Sequence, residues 1–157
     1  YRIAAAYKQI EFDGISMQLQ RGYSELFRVG LVYSVAETYG IFRFGDLWQG
    51  ELNLNNENIS NQLRLPCFEA LHFMLANNLN TKSLQRHEDF LSGHTHDVLV
   101  IFGLIRHLVF HGSATGYGAG LAESLFATEI VNNSSFWMLD QIDQLFTNYV
   151  DQLLLDM

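Results

Sequence analysis

Arg106, His107 and His111 place one permanent positive charge and two imidazoles within six consecutive residues. A guanidinium binds phosphate in a bidentate way and stays charged. An imidazole takes or gives a proton near neutral pH. Together they suit chemistry at a phosphate. Their setting adds to the signal. Ten of the thirteen residues from Val98 to Phe110 are large and apolar, and they occupy every side of a helix. An arginine there is costly to desolvate unless it is paired or faces a cleft. On an unbroken helix, Arg106 and His111 point roughly 140° apart. Gly112 offers a stop, so a helix that ends near Phe110 lets His111 swing back toward Arg106.

The segment 98–110 must position these groups, and a helix apolar all round must be buried on several sides. Thr95 is the expected cap of this helix, with Asp97 in its first turn, where a negative charge is favourable. Other helices are expected around it. They cover about 2–12, then 17–39 with Ser16 as N-cap and Gly40 as stop. Glu25, Arg21 and Arg28 fall largely off the apolar face of the second. Pro66 opens a helix to about Leu75 or Ala76. Thr81 or Ser83 caps another to Leu91. Two more cover about 119–131 and 135–156, separated by Asn132 to Ser134. The last carries an apolar stripe through Met138, Ile142, Phe146 and Val150. Residues 45–62 include the asparagine-rich run LNLNNENISN, and they are expected to form a loop or insertion. Nothing alternates at period two over more than a few residues. The expectation is one all-α domain over 1–157, an up-and-down bundle of four or five main helices.

The chain has 157 residues and 48% hydrophobic content, enough for a sizeable core. Its net charge is −8. A generic electrostatic nucleic-acid binder would be basic, so any RNA-directed activity needs a local positive site. Cys67 is alone and excludes an intramolecular disulfide, which points to a reducing, cytoplasmic setting. The run from Val98 to Ile105 is eight residues against the roughly 20 of a membrane span. No membrane partner is expected.

The sequence Arg106-His107-Leu108-Val109-Phe110-His111 resembles the R-x4-6-H signature of HEPN domains (higher eukaryotes and prokaryotes nucleotide-binding). In that family a polar residue commonly follows the arginine, here His107, and the motif sits at a helix end in an all-α bundle. The sharp likeness covers about ten residues and includes the HGSAT run. Many HEPN proteins are metal-independent endoribonucleases of toxin–antitoxin and defence systems. They usually form homodimers with a composite cleft. The resemblance implies that Arg106 binds the scissile phosphate and that His111 moves protons during attack by the ribose 2′-hydroxyl. His107 would orient the motif or contact phosphate. Some toxin members carry a tyrosine two residues after the histidine as a target for their antitoxin. Here an accessory Ser113 holds that position, and the nearest tyrosine is Tyr117. RNA, a second copy and an antitoxin protein are the implied partners. No cofactor or metal is implied.

Blander roles exist for the same residues. Arg106 could pair with an acid such as Glu37 or Glu123, and His111 could cap the helix, leaving a non-catalytic interaction or nucleotide-binding module. A zinc site could use His107 and His111, or His94, His96 and Asp97 with His87 upstream. The two ends of the helix lie roughly 20 Å apart, too far for one shared site. The run Gly116 to Gly120 is no Walker motif and follows no strand, so it is expected to be a connection.

Overall fold

The computed structural model describes residues 1–11, 13–116 and 118–156. Among these the chain is all-α, and its only extended pairing is an isolated bridge between Asn55 and Asp97. Eight α-helices follow in order: α1 (Arg2–Ala6), α2 (Met17–Phe44), α3 (Trp48–Glu51), α4 (Glu57–Leu63), α5 (Glu69–Asn78), α6 (Thr81–Leu91), α7 (Val98–Phe110) and α8 (Leu125–Leu155). Short 3₁₀ turns precede α3 and α5. Five helices reach ten residues or more.

The all-round apolar character of α7 has the expected consequence. Eight of its residues are buried, and Ile101, Phe102, Ile105 and Leu108 are almost wholly so. α2 packs along both α7 and α8, while α5 and α6 cover α7 from another side. One continuous core joins them. Gly103 permits the closest part of the α2–α7 contact. A Cβ there would lie 2.8 Å from Cε2 of Tyr33 and 3.1 Å from its hydroxyl. No described helix is long and apolar enough to cross a membrane.

Several boundaries differ from those expected, each for a local reason. Ser16 does cap α2, accepting from the Leu19 amide, but α2 passes Gly40 and stops at Gly45, whose φ is 59°. Asp97, not Thr95, caps α7; its carboxylate accepts from the amides of Leu99 and Leu54. Asn80 caps α6 ahead of Thr81 and Ser83. Residues 119–124 form turns, and α8 starts after Ser124. It then runs unbroken through Asn132 to Ser134, where the Ser134 hydroxyl donates to the Ile130 carbonyl. That bond satisfies a polar side chain without ending the helix.

The stretch 45–62 contains α3 and most of α4, and it is anchored by buried Trp48, Leu52, Leu54 and Ile59. Its asparagines are structural in part: Asn56 caps α4 by accepting from Ile59. The N-terminal helix ends at Ala6. Beyond it, the carbonyls of Tyr7 and Lys8 accept from the Arg28 guanidinium, whose Nε donates to Glu25. Arg28 and Glu25 are therefore buried, because a non-helical segment covers the side of α2 that the helical period leaves polar.

Candidate functional site

α7 ends in a Schellman turn. Ser113 donates its amide to Leu108, and Gly112 donates to Val109. Gly112 has φ 70°, which suits a residue without Cβ at this position. His111 keeps a near-helical backbone, φ −88° and ψ 4°, with its amide bonded to His107. It therefore sits one turn above His107 and does not swing back toward Arg106. The two imidazole rings are 4.3 Å apart between centroids, and both residues are exposed. Ser113 is exposed beside them. Tyr117 lies outside the described residues.

Arg106 points to a neighbouring side of the same helix end. Its Nη2 donates to Oε2 of Glu37 on α2 at 3.3 Å. The pair is part-exposed, 36% for the arginine side chain and 30% for the glutamate. Among the described residues, Glu37 and not Glu123 is the acid paired with it. The Arg106 guanidinium lies over the Phe110 ring at 5.2 Å and near the Tyr33 ring at 5.9 Å. Its Nε is buried without a hydrogen-bond partner. Two aromatic rings thus flank the guanidinium, while Glu37 takes one of its N–H groups. Among the described residues, no hydrogen bond or ring contact joins Arg106 to His111. The three basic groups share one end of α7, with the imidazoles as one unit and the arginine beside them.

The Tyr33 hydroxyl belongs to the same surroundings. Burial raises its pKa, and Glu37 adds to the rise, while Arg86 and Arg106 oppose it. Tyr33 and Glu37 are one turn apart on α2, a spacing visible in the sequence. That their shared face meets Arg106 is a tertiary fact.

The remaining histidines have structural partners. His96 bonds to Ser60, and His94 bonds to Ser92. Buried His87 and half-buried His72 form a pair between α5 and α6, with 3.0 Å from His72 Nδ1 to His87 Nε2. His72 Nε2 must donate to the Leu63 carbonyl at 2.8 Å. Its Nδ1 is then the acceptor, and His87 Nε2 carries the donating proton. No described group of three His, Cys, Asp or Glu side chains is placed to hold a metal ion. Cys67 is half-buried, and burial pushes its thiol up.

The His72–His87 pair gives a pH prediction. Burial, with the neighbouring His72, lowers the His87 pKa to about 4 from its ordinary 6.5. The unfolded chain binds this proton more readily. Stability is therefore complete above about pH 6.5 and falls as pH drops toward 4, by at most about 3 kcal/mol. His87→Gln keeps an N–H donor and cannot titrate. Urea unfolding of the two proteins from pH 7 to 4 is expected to show a flatter profile for the variant. Parallel profiles would reject the assignment to this pair.

No family model, curated protein or solved structure matches the chain.

Proposed function

We propose that the chain is an HEPN-like, metal-independent endoribonuclease that acts by 2′-hydroxyl transesterification. The observation that supports it is the exposed end of α7, where Arg106 and the His107–His111 pair stand together. Arg106 would take the scissile phosphate on the guanidinium edge now shared with Glu37. His111 would accept the 2′-hydroxyl proton as the 2′-oxygen attacks phosphorus. The bond to the 5′-oxygen breaks, and that oxygen takes a proton from a protonated imidazole. His107 orients His111 through their ring contact. The products would be a 2′,3′-cyclic phosphate and a 5′-hydroxyl end. A homodimer would bring two such helix ends to one cleft. An antitoxin in a cytoplasmic toxin–antitoxin or defence system would act by covering or modifying this end.

Single-stranded RNA incubated with the protein and excess chelator tests the proposal. Expected is cleavage that survives chelation and leaves cyclic-phosphate ends. Intact RNA across varied sequences, or cleavage abolished by chelator, would reject it.

A second reading, a helical interaction module, has one specific observation in its favour. The C-terminal part of α8 exposes Phe146, Leu153, Leu154 and Leu155, and Phe146 lies beside an exposed Phe42 on α2. An apolar strip of this kind commonly marks a protein-binding surface. Its prediction is the opposite one, an uncleaved RNA and unchanged partner binding in Arg106 and His111 variants.

A further inference from the structure

α5 and α6 form a helical hairpin, joined through Leu79 and Asn80 alone. A cavity of about 610 Å³ lies along it. Phe73 and Ala76 of α5 and Leu84 and Leu91 of α6 supply apolar walls, and Glu69 and Glu88 supply two carboxylates. With His72 and His87 these residues fall at helical spacing, so each helix gives the cavity one continuous stripe. The His72–His87 hydrogen bond ties the two stripes together, and both rings line the cavity.

The bond fixes what His87 can offer. His72 Nε2 donates to the Leu63 carbonyl at 2.8 Å, so His72 Nδ1 accepts and His87 Nε2 holds the shared proton. Burial keeps both rings neutral. His87 Nδ1 is then a bare acceptor, with no hydrogen-bond partner among the described residues. It is also not one of the fully enclosed unpartnered atoms, which are the Tyr7 hydroxyl, Arg106 Nε and Ser135 Oγ. His87 is only 1% exposed, yet this nitrogen is reached from outside, and the cavity is the opening that His87 lines.

The polar groups left free here are acceptors. Arg64 also lines the cavity, but its three nitrogens already donate to Phe90, Asn61 and Thr95. An anion would meet two carboxylates and a ring lone pair. Metal chelation needs a tighter grouping of these His and Glu side chains than the structure has. An ammonium donates up to three hydrogen bonds and accepts none, so it complements this set. Apolar walls with a few converging polar groups, at this volume, are the usual form of a small-molecule site of roughly 300–1,000 Å³.

We propose that the α5–α6 cavity binds a small primary amine, whose ammonium donates to His87 Nδ1 under the attraction of Glu69 and Glu88, and whose apolar tail lies along Phe73, Leu84 and Leu91. The site lies on different helices from the α7 end, and its chemistry is independent of the nuclease proposal.

Hexylamine, hexanol and hexanoate share one apolar tail and differ in head group. Each is titrated at neutral pH into protein whose isotope-labelled histidine nitrogens are followed by NMR. Hexylamine is expected to bind about tenfold or more tighter than the other two. It should also shift the His87 Nδ1 signal toward the range of a hydrogen-bonded nitrogen. Glu69→Gln combined with Glu88→Gln, both at exposed positions, should weaken the amine about tenfold and leave hexanol unchanged. Ala76→Trp, also at an exposed position, fills the cavity and should abolish binding without touching the histidine pair. Hexanol binding as tightly as hexylamine would overturn the proposal. So would amine binding that leaves the His87 Nδ1 signal unmoved, or no amine binding by the folded protein. Nα-acetyl-lysine amide binding more tightly than hexylamine would overturn the free amine as occupant, in favour of a lysine on a partner protein.

Discussion

His111→Ala is expected to lower the rate of RNA cleavage by about 10²–10⁴-fold, the usual contribution of a positioned acid or base. Arg106→Ala is expected to cost about 10²–10³-fold, as for loss of one group that stabilises developing charge. Arg106→Lys should recover little of this, because an ammonium lacks the planar fork that Phe110 and Tyr33 flank. Neither effect should come from unfolding. His111 ends α7 through its backbone amide, and Gly112 and Ser113 complete the turn, so the imidazole itself can be removed without loss of a cap. The Arg106–Glu37 pair is part-exposed, and such pairs contribute only about 0–1 kcal/mol. Initial rates on one RNA, with urea midpoints measured in parallel, separate the two causes. Variants that retain both midpoint and cleavage would remove the α7 end from the mechanism.

The parts of this site differ in how far the sequence foretells them. α7 is legible because its apolar residues surround the helix, and only burial satisfies that pattern. The helix stop at Gly112 is legible too, since a left-handed position after a last turn favours glycine. The orientation of His111 is not. A Schellman turn leaves the C-cap residue near-helical and turns the chain only at the next residue, so His111 stays over His107. Charge alone offers Glu37 or Glu123 as the partner of Arg106, and the structure selects Glu37. The place of Tyr33 beside Arg106 is not legible, because it depends on how α2 and α7 pack.

Tertiary packing also decides the other differences. Asn132 to Ser134 has the composition of a break, but buried Ile130, Val131, Met138 and Leu139 on either side hold α8 straight through it. Local propensity yields there to the core. In 45–62 the apolar residues lack one period, because they serve a 3₁₀ turn, two short helices and an extended link in succession. Each piece is too short to register as a pattern, and Trp48, Leu52 and Leu54 still reach the core.

Arg28→Met is expected to destabilise the fold by about 3–5 kcal/mol at neutral pH, the range for removing one partner of a buried ion pair. Both side chains of the Arg28–Glu25 pair are under a tenth exposed. Methionine retains much of the apolar length of the arginine, so the loss is chiefly electrostatic and hydrogen-bonding. Two consequences separate this origin from simple repacking. First, burial already raises the Glu25 pKa, and Arg28 is what opposes the rise. Without Arg28 the folded-state pKa climbs further above the unfolded value. The penalty for a charged Glu25 is absent below the unfolded pKa, where both states are protonated, and is complete above the folded one. The variant's deficit should therefore shrink as pH falls toward the ordinary carboxylate range. Second, Glu25→Leu added to Arg28→Met removes the stranded carboxylate and should recover part of the loss. Recovery should be incomplete, because Arg28 also holds the carbonyls of Tyr7 and Lys8 and so fastens the N-terminal segment to α2. Urea unfolding at two pH values for the single and double variants measures both effects. A deficit independent of pH, with no recovery in the double variant, would show that the packing of residues 7–10 on α2 matters and the ion pair does not.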